Sequence, residues 1–326
     1  MVPIPQYPLY TATLSVLDAR CVPYYLDEEA AWGTSLESIR TAHEKAVKEG
    51  TDVKAICVIN PGNPTGASLP VEDIKAVLKF AAEKGLVVIA DEVYQTNVFI
   101  GEFISFKKAL RELQKETPGQ YDNIELASLH SVSKGMVGEC GHRGGYFELI
   151  GFDPEVAQEI YKFVSIQLCP PVLGQCIVEM MVNPPKEGEP SYELYKQEYD
   201  GIFNGLKKRA YALYEAFKQM EGVECSEPQV SISSLYLCET FQLTFDRAPC
   251  TSSPPSTSPK RPYSRPRRKA VPLMSSTASA CLMQLVSVSL LVRALGKRRI
   301  RFISEPLSWL LAPTGQAGLS SSTRNS

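Results

Sequence analysis

Four short apolar runs alternate with polar or amphipathic stretches between Val53 and Leu149, and this alternation constrains the fold more than any other feature of the sequence. Runs of this length that are rich in β-branched residues are typical of buried strands. Strands that alternate with helical stretches favour a mostly parallel sheet with flanking helices. The four predicted strands are KAICVIN at 54–60, LVVIA at 86–90, IELASL at 124–129 and GGYFELI at 144–150.

Helix signals lie between and after these strands. One helix is predicted to open at Pro70 and to stop at Gly85, because proline suits the first helical turn and glycine suits the position after the last. A second helix is predicted over 106–115, and the chain turns helical again after Pro154. A long helix is predicted over 192–220, because apolar residues follow one stripe there. The stripe consists of Ile202, Leu206, Ala210, Leu213 and Phe217.

The composition excludes several classes of protein. A chain of 326 residues with 44% hydrophobic residues can bury a core, so disorder throughout is excluded. A net charge of −2 shows no preference for nucleic acid. Nine cysteines without a CxxC pair, together with three histidines, predict neither a zinc site nor a disulfide framework. The opening MVPIPQYPLY has no basic stretch followed by an apolar run, so we expect no targeting peptide and a cytoplasmic protein.

Three polar motifs follow three of the predicted strands. They are NPGNPTG at 60–66, DEVY at 91–94 and SVSKG at 131–135. Read separately, the first is a turn-rich loop, Asp91 is a helix cap and the third is a short pattern that chance supplies. The carboxyl ends of parallel strands meet at one edge of a sheet and build its binding sites, so the three together predict one site. That site would unite Asn63, Asp91 and Lys134.

With these motifs the chain resembles the class I aminotransferases of fold type I, from Pro5 to about Gln229. Longer segments are similar to the alanine aminotransferase branch, namely GECGHRGGY at 138–146, SIQLCPPVLGQ at 165–175 and VNPPKEGEPSYELY at 182–195. The resemblance implies an incomplete large cofactor-binding domain at 1–174. An interdomain helix and the start of a small domain would occupy 175–229. Residues 230–326 lie outside the resemblance, and we expect them to be disordered.

The resemblance implies pyridoxal 5'-phosphate as the cofactor and assigns roles to four residues. Lys134 would form the Schiff base with the cofactor aldehyde and then move the proton between the substrate and the cofactor. Asp91 would keep the pyridine nitrogen protonated, since a nearby anion favours the charged ring. Tyr94 and Asn63 would hydrogen-bond the phenolic oxygen of the cofactor, and Asn63 would also contact the substrate carboxylate.

Four further positions match cofactor contacts of the family. Ser131 and Arg143 would bind the phosphate, because a hydroxyl and a planar guanidinium suit its oxygens, and Ser133 is a weaker candidate for the same role. Tyr7 would stack on the cofactor ring; the alternative is a half-buried tyrosine without a role in binding. No metal site is expected.

The implied reaction transfers an amino group from L-alanine to 2-oxoglutarate, giving pyruvate and L-glutamate. Two alternatives stay open: a kynurenine-type or aromatic-type transaminase, and a non-catalytic product of truncation or mis-splicing. The family forms homodimers. Neither nucleic acid nor membrane is expected as a partner, because the basic run at 260–269 is interpreted as a solvated stretch and the apolar run at 278–292 is too short to span a bilayer.

The chain departs from the family pattern at both ends. The family has a segment ahead of the tyrosine at position 7 that helps to hold the cofactor phosphate, and an arginine late in the chain that pairs with the substrate carboxylate. We find neither here, so we expect exposed apolar surface and weak or no turnover, and a mitochondrial location stays open. Codons that encode 248–256 and 303–312 permit family-like peptides in another reading frame. The tail is therefore interpreted as frame-shifted by a retained intron.

Overall fold

The computed structural model describes residues 1–166, 168–220 and 225–230. It contains six strands: β1 (Val2–Ile4), β2 (Pro23–Tyr25), β3 (Ala55–Ile59), β4 (Val87–Asp91), β5 (Leu126–Ser131) and β6 (Gly145–Ile150). The seven α-helices of these ranges are α1 (Leu9–Val16), α2 (Leu36–Lys48), α3 (Val71–Lys84), α4 (Phe106–Glu116), α5 (Pro154–Ser165), α6 (Val172–Val182) and α7 (Tyr192–Lys218). The four predicted strands and the predicted helices between and after them are confirmed, with ends that differ by one or two residues.

The central sheet has the strand order β3-β4-β5-β6. Strands β3, β4 and β5 run parallel, and β6 runs antiparallel to β5 at the edge of the sheet. The mostly parallel sheet predicted from the sequence is therefore confirmed, and β6 is its exception. Strands β1 and β2 form a separate parallel pair, which contacts β3 through the Cys57 N–H donating to Met1 O at 2.9 Å.

Apolar side chains cover both faces of the central sheet. One cluster fills the space between the sheet and the helices α2, α3 and α4, and its largest fully buried members are Tyr24, Ile39, Ile74, Leu78, Phe80, Phe106 and Leu110. A second cluster joins the opposite face to α1. Helix α3 ends where the sequence predicted, because Gly85 adopts the left-handed conformation with φ of 64° that favours glycine.

Several large apolar side chains in the part of the chain after β6 are exposed. Ile166, Leu168, Val172 and Leu173 are each more than 60% exposed, and of the stripe predicted along α7 only Ala210 is buried. No helix within the described ranges combines the length and the apolar character that crossing a bilayer requires. Apart from Val230, the tail predicted to be disordered lies outside the described residues, and so do its basic and apolar runs.

Candidate active site

The three polar motifs meet at one edge of the central sheet. Asp91, the last residue of β4, pairs with Ile59 of β3 and with Leu129 of β5, so the loops that follow these strands start at the same level. The loop after β3 is closed by the Asn60 side chain, whose Oδ1 accepts the Leu69 N–H at 2.9 Å. The convergence predicted from strand order is therefore present in the structure.

Asp91 is a buried carboxylate whose two oxygens both have partners. Its Oδ2 accepts the Tyr10 hydroxyl at 2.6 Å, and its Oδ1 accepts the Val93 N–H at 3.4 Å. Burial raises the pKa of Asp91, while the bond from Tyr10, the bond from Val93 and the charge of Lys134 oppose that rise. Burial also raises the pKa of Tyr10, which keeps its hydroxyl protonated as a donor.

Tyr10 was not among the residues predicted from the sequence. It lies on α1, and its hydroxyl reaches Asp91 across 81 positions of the chain. Its only signal in the sequence was its closeness to Tyr7, which precedes the helix. Local pattern gives no distance to a residue so remote in sequence, so the pairing itself was not predictable.

Lys134 and Tyr7 are neighbours in the structure. The Lys134 Nζ lies 5.4 Å from the centroid of the Tyr7 ring, within the range of a cation–π contact. Lys134 follows β5 in the SVSKG motif, and Tyr7 precedes α1, so the contact joins the sheet edge to the first helix. The structure thus places Tyr7 beside Lys134, the residue predicted from the sequence to bind the cofactor.

Asn63 and Tyr94 form a buried pair beside these residues. The Asn63 Nδ2 donates to the Tyr94 hydroxyl at 3.2 Å, and each residue is less than 10% exposed. They come from different loops, after β3 and after β4, and they were predicted to bind the same oxygen. Their contact is consistent with that expectation, because two donors to one acceptor must lie close together.

The three residues predicted to bind phosphate differ in how their polar atoms are used. Ser131 Oγ donates to Gly144 O at 3.3 Å and accepts the Ser133 N–H at 3.0 Å. In contrast, Ser133 Oγ and Arg143 Nε are buried without a hydrogen-bond partner among the described residues. Unsatisfied buried donors are costly, and a phosphate would satisfy both. The two donors fit a ligand that carries a phosphate, as pyridoxal phosphate does, and the phosphate role of Ser131, Ser133 and Arg143 stays a prediction.

Close contact between two glycines holds Arg143 in place. Arg143 adopts the left-handed conformation with φ of 56°, which is rare for a residue with a side chain. A Cβ on Gly174 of α6 would lie 2.3 Å from Arg143 O, and one on Gly144 would lie 2.7 Å from Gly174 O. Helix α6 therefore packs directly on the backbone of this segment, and the Arg143 guanidinium also donates to Cys140 O.

A second buried polar group lies on the other face of β4 and β5, and the sequence did not reveal it. Glu92 accepts the Phe106 N–H at the start of α4 at 2.7 Å and the Ser128 hydroxyl at 2.5 Å, and burial raises its pKa. Burial lowers the pKa of His130 to about 4, although the ring hydrogen-bonds the backbone of Glu92. His130 Nδ1 has no hydrogen-bond partner among the described residues. Within the described ranges, no three metal-binding side chains form a cluster.

Comparison with curated proteins identifies similar chains. The chain is 52% identical over 246 residues to the mitochondrial alanine aminotransferase of Saccharomyces cerevisiae, a match covering 75% of this chain and 41% of the relative. It is 48% identical over 236 residues to alanine aminotransferase 2 of Xenopus laevis, covering 72% and 43%. A protein named inactive alanine aminotransferase, also from Saccharomyces cerevisiae, is 46% identical over 263 residues, covering 77% and 52%. The chain spans about half the length of the curated relatives it matches.

Solved structures share the fold. The alanine aminotransferase of Pyrococcus furiosus superposes with a TM-score of 0.57 at 28% identity, covering 71% of this chain and 52% of that one. An aspartate aminotransferase from Thermus thermophilus, at 18% identity and a TM-score of 0.55, supports the fold alone. Residues 1–240 match the family described as aminotransferase class I and II, and this range includes every side chain placed at the site. The chain therefore belongs to the class I and II aminotransferases.

Proposed function

We propose that this chain binds pyridoxal 5'-phosphate at Lys134 and that the site is built to transfer an amino group from L-alanine to 2-oxoglutarate. The observation that carries the cofactor proposal is the pair of unpartnered buried donors, Ser133 Oγ and Arg143 Nε, in the motif segments around Lys134. Buried donors without acceptors are costly unless a ligand completes them. The family, whose members use this cofactor, supports the same assignment.

Each residue of the site has a binding task that its chemistry supports. Ser133 and Arg143 would donate to the phosphate, and the Ser131 hydroxyl links their two segments through its bonds to Gly144 O and to the Ser133 N–H. The Tyr7 ring, next to Lys134 Nζ, would cover one face of the cofactor ring. The buried Asn63–Tyr94 pair would donate to the phenolic oxygen.

Asp91 provides the negative charge of the site. Its carboxylate is buried and its pKa is raised, so a cationic pyridinium nitrogen would offset the cost of keeping it ionised. The Tyr10 hydroxyl fixes the orientation of the carboxylate through the bond to Oδ2. The charge of Asp91 and its orientation by Tyr10 therefore both favour a protonated nitrogen in the cofactor ring.

Proton transfer is assigned to Lys134. Pyridoxal phosphate, when bound, supplies an electron sink for the charge that develops at the substrate Cα. The Lys134 Nζ would remove the proton from the substrate Cα and return it on the cofactor side, which requires the neutral amine.

The substrates are proposed from the names of the relatives, several of which are alanine aminotransferases. The second substrate, a 2-oxo acid, completes an amino transfer of this class. A homodimer in the cytoplasm is part of the same proposal, although three relatives are named as mitochondrial. Cell fractionation and measurement of molecular mass in solution test these two points.

A second candidate function has its own support. The relative named inactive alanine aminotransferase is 46% identical to this chain, so the fold exists in a protein described as lacking the activity. A chain that binds the cofactor without turning over alanine would fit this relative. An aromatic substrate has no comparable observation in its favour.

Cofactor titration and turnover assays test the proposal. The chain is mixed with pyridoxal phosphate, and we expect a cofactor absorption band that borohydride reduction fixes to the protein. Lys134→Ala should abolish the fixed label, whereas Lys196→Ala, which removes an exposed lysine paired with Asp200 at 3.0 Å, should retain it. A label that survives Lys134→Ala would refute the assignment. Turnover of L-alanine with 2-oxoglutarate that Lys134→Ala abolishes would support the proposed reaction, and cofactor binding without any alanine turnover would favour the second candidate.

A further inference from the structure

Gln229 connects the two loops that carry Asn63 and Tyr94. Its side-chain Oε1 accepts the Ser68 N–H at 3.0 Å, and its backbone oxygen accepts the Phe99 N–H at 2.7 Å. Ser68 lies in the loop after β3, and Phe99 lies in the loop after β4. A residue distant in sequence from both loops therefore holds them together.

Each of the two loops is otherwise closed on itself. In the first, the Gly62 N–H donates to Ala67 O at 2.8 Å. In the second, the Asn97 N–H donates to Tyr94 O at 2.9 Å. The Asn63–Tyr94 bond joins the loops at one point, and Gln229 joins them at another.

The residue after Gln229 reinforces the connection. Val230 is 4% exposed and packs with Val93 and Tyr94, with Val98 against the same small cluster. Val230 also forms an antiparallel bridge with Val98. The segment 229–230 therefore packs against Tyr94 through Val230, and it binds the loop of Asn63 through the side-chain oxygen of Gln229.

Helix α7 approaches the same point. The Phe203 ring makes an edge contact with the Phe99 ring at a centroid distance of 5.4 Å, and Lys207 Nζ donates to Phe99 O at 3.4 Å. The backbone of Phe99 is therefore fixed by Gln229 on its N–H and by α7 on its carbonyl. Both restraints act on the loop that carries Tyr94, five residues after that tyrosine.

We propose that Gln229 is a positioning residue that sets the alignment of Asn63 with Tyr94, and thereby how strongly this pair stabilises the anionic phenolic oxygen of pyridoxal phosphate. The proposal rests on the proposed function for the identity of that oxygen. Gln229 contacts neither the substrate nor the reacting atoms in this assignment. Its effect is exerted through the two loops.

The test compares the wild-type 326-residue chain with five variants, two of which carry Tyr94→Phe. Gln229→Ala removes the acceptor for Ser68 N–H, and Gln229→Glu keeps a side-chain oxygen there. Gln219→Ala truncates an exposed glutamine that follows α7 and serves as the matched control. The readout is the pH midpoint at which the absorption band of bound pyridoxal phosphate changes, measured beside the melting temperature.

We expect Gln229→Ala to raise the midpoint by roughly half to one pH unit, the loss of about one neutral hydrogen bond, because a misaligned pair stabilises the anion less. Gln229→Glu should restore the midpoint, and Gln219→Ala should leave it unchanged. In a Tyr94→Phe background, Gln229→Ala should add nothing, since the pair is already broken. A purely structural role would lower the melting temperature and leave the midpoint alone, and that result would overturn the proposal.

A second readout needs no cofactor. Hydrogen exchange of the Asn63 side-chain amide, followed by nuclear magnetic resonance, reports the bond to Tyr94 directly. Faster exchange in Gln229→Ala than in Gln219→Ala is the expected result, and equal exchange would refute the positioning role. If the wild-type chain binds no pyridoxal phosphate, the proposed function fails while this measurement still decides the role of Gln229.

Discussion

Lowering the pH from 8 to 4 is expected to destabilise the fold through one buried imidazole, that of His130. The ring is 7% exposed and its pKa is lowered from 6.5 to about 4 by burial. Protonation would place a second N–H on Nδ1, where no described residue offers an acceptor. The unfolded chain has no such restriction, so it takes up the proton at a higher pH than the folded chain.

The sign and size of the effect follow from these two pKa values. A group whose pKa is depressed in the folded state contributes stability above its unfolded pKa, and this stability is lost as the pH falls through the folded pKa. A tenfold change in proton affinity corresponds to ~1.4 kcal/mol. The free energy of unfolding should therefore fall by roughly 2–4 kcal/mol between pH 8 and pH 4 because of His130.

Urea unfolding across this pH range, with wild type and His130→Gln side by side, measures the loss. The other titrating groups are common to both proteins, so the difference in free energy of unfolding isolates His130, and it should shrink by the stated amount as the pH falls. His142→Gln, which removes an exposed imidazole, is the matched control. A difference that stays constant with pH, or a His130 resonance that titrates near 6.5, would refute the reasoning.

Two further substitutions test the walls of the site. Tyr10→Phe removes the 2.6 Å bond to Asp91, so the pKa of Asp91 should rise further and pyridoxal phosphate should bind roughly tenfold more weakly in a titration. Equal affinity would contradict the role of the hydroxyl. Gly174→Ala places a Cβ 2.3 Å from Arg143 O and should lower the free energy of unfolding by at least ~2 kcal/mol. The control is Gly201→Ala in helix α7, whose Cβ would meet nothing within 4 Å, and it should be neutral or stabilising by up to ~1 kcal/mol. Urea unfolding measures both.

The sequence predicted the strands and the loops of the site because these depend on local pattern. The run at 86–90 is apolar throughout and mostly β-branched, and most of it forms the buried strand β4. The antiparallel direction of β6 was not predicted from the sequence, and it comes from the structure. The connection from Ser131 to Gly145 contains no crossover α-helix, which agrees with this direction.

Partners from remote parts of the chain were not predictable. Tyr10, Glu92 and Gln229 act through one or two hydrogen bonds each, to residues whose distance depends on how the whole sheet is assembled. Glu92 belongs to the DEVY motif, but the motif does not show which residues its carboxylate contacts, and no local pattern marks Tyr10 or Gln229. The chemistry of the site is visible in its motifs, whereas the geometry that adjusts it comes from tertiary packing.

The position of β6 at the sheet edge has a practical consequence. Its outer backbone groups pair with no strand in the described ranges, and exposed edges of this kind invite strands from other molecules. Polypeptides with such an edge and exposed apolar helices tend to aggregate as concentration rises. Light scattering over a dilution series would show whether purification must be carried out dilute, and a charged substitution at the exposed Tyr146 would be the first remedy against precipitation.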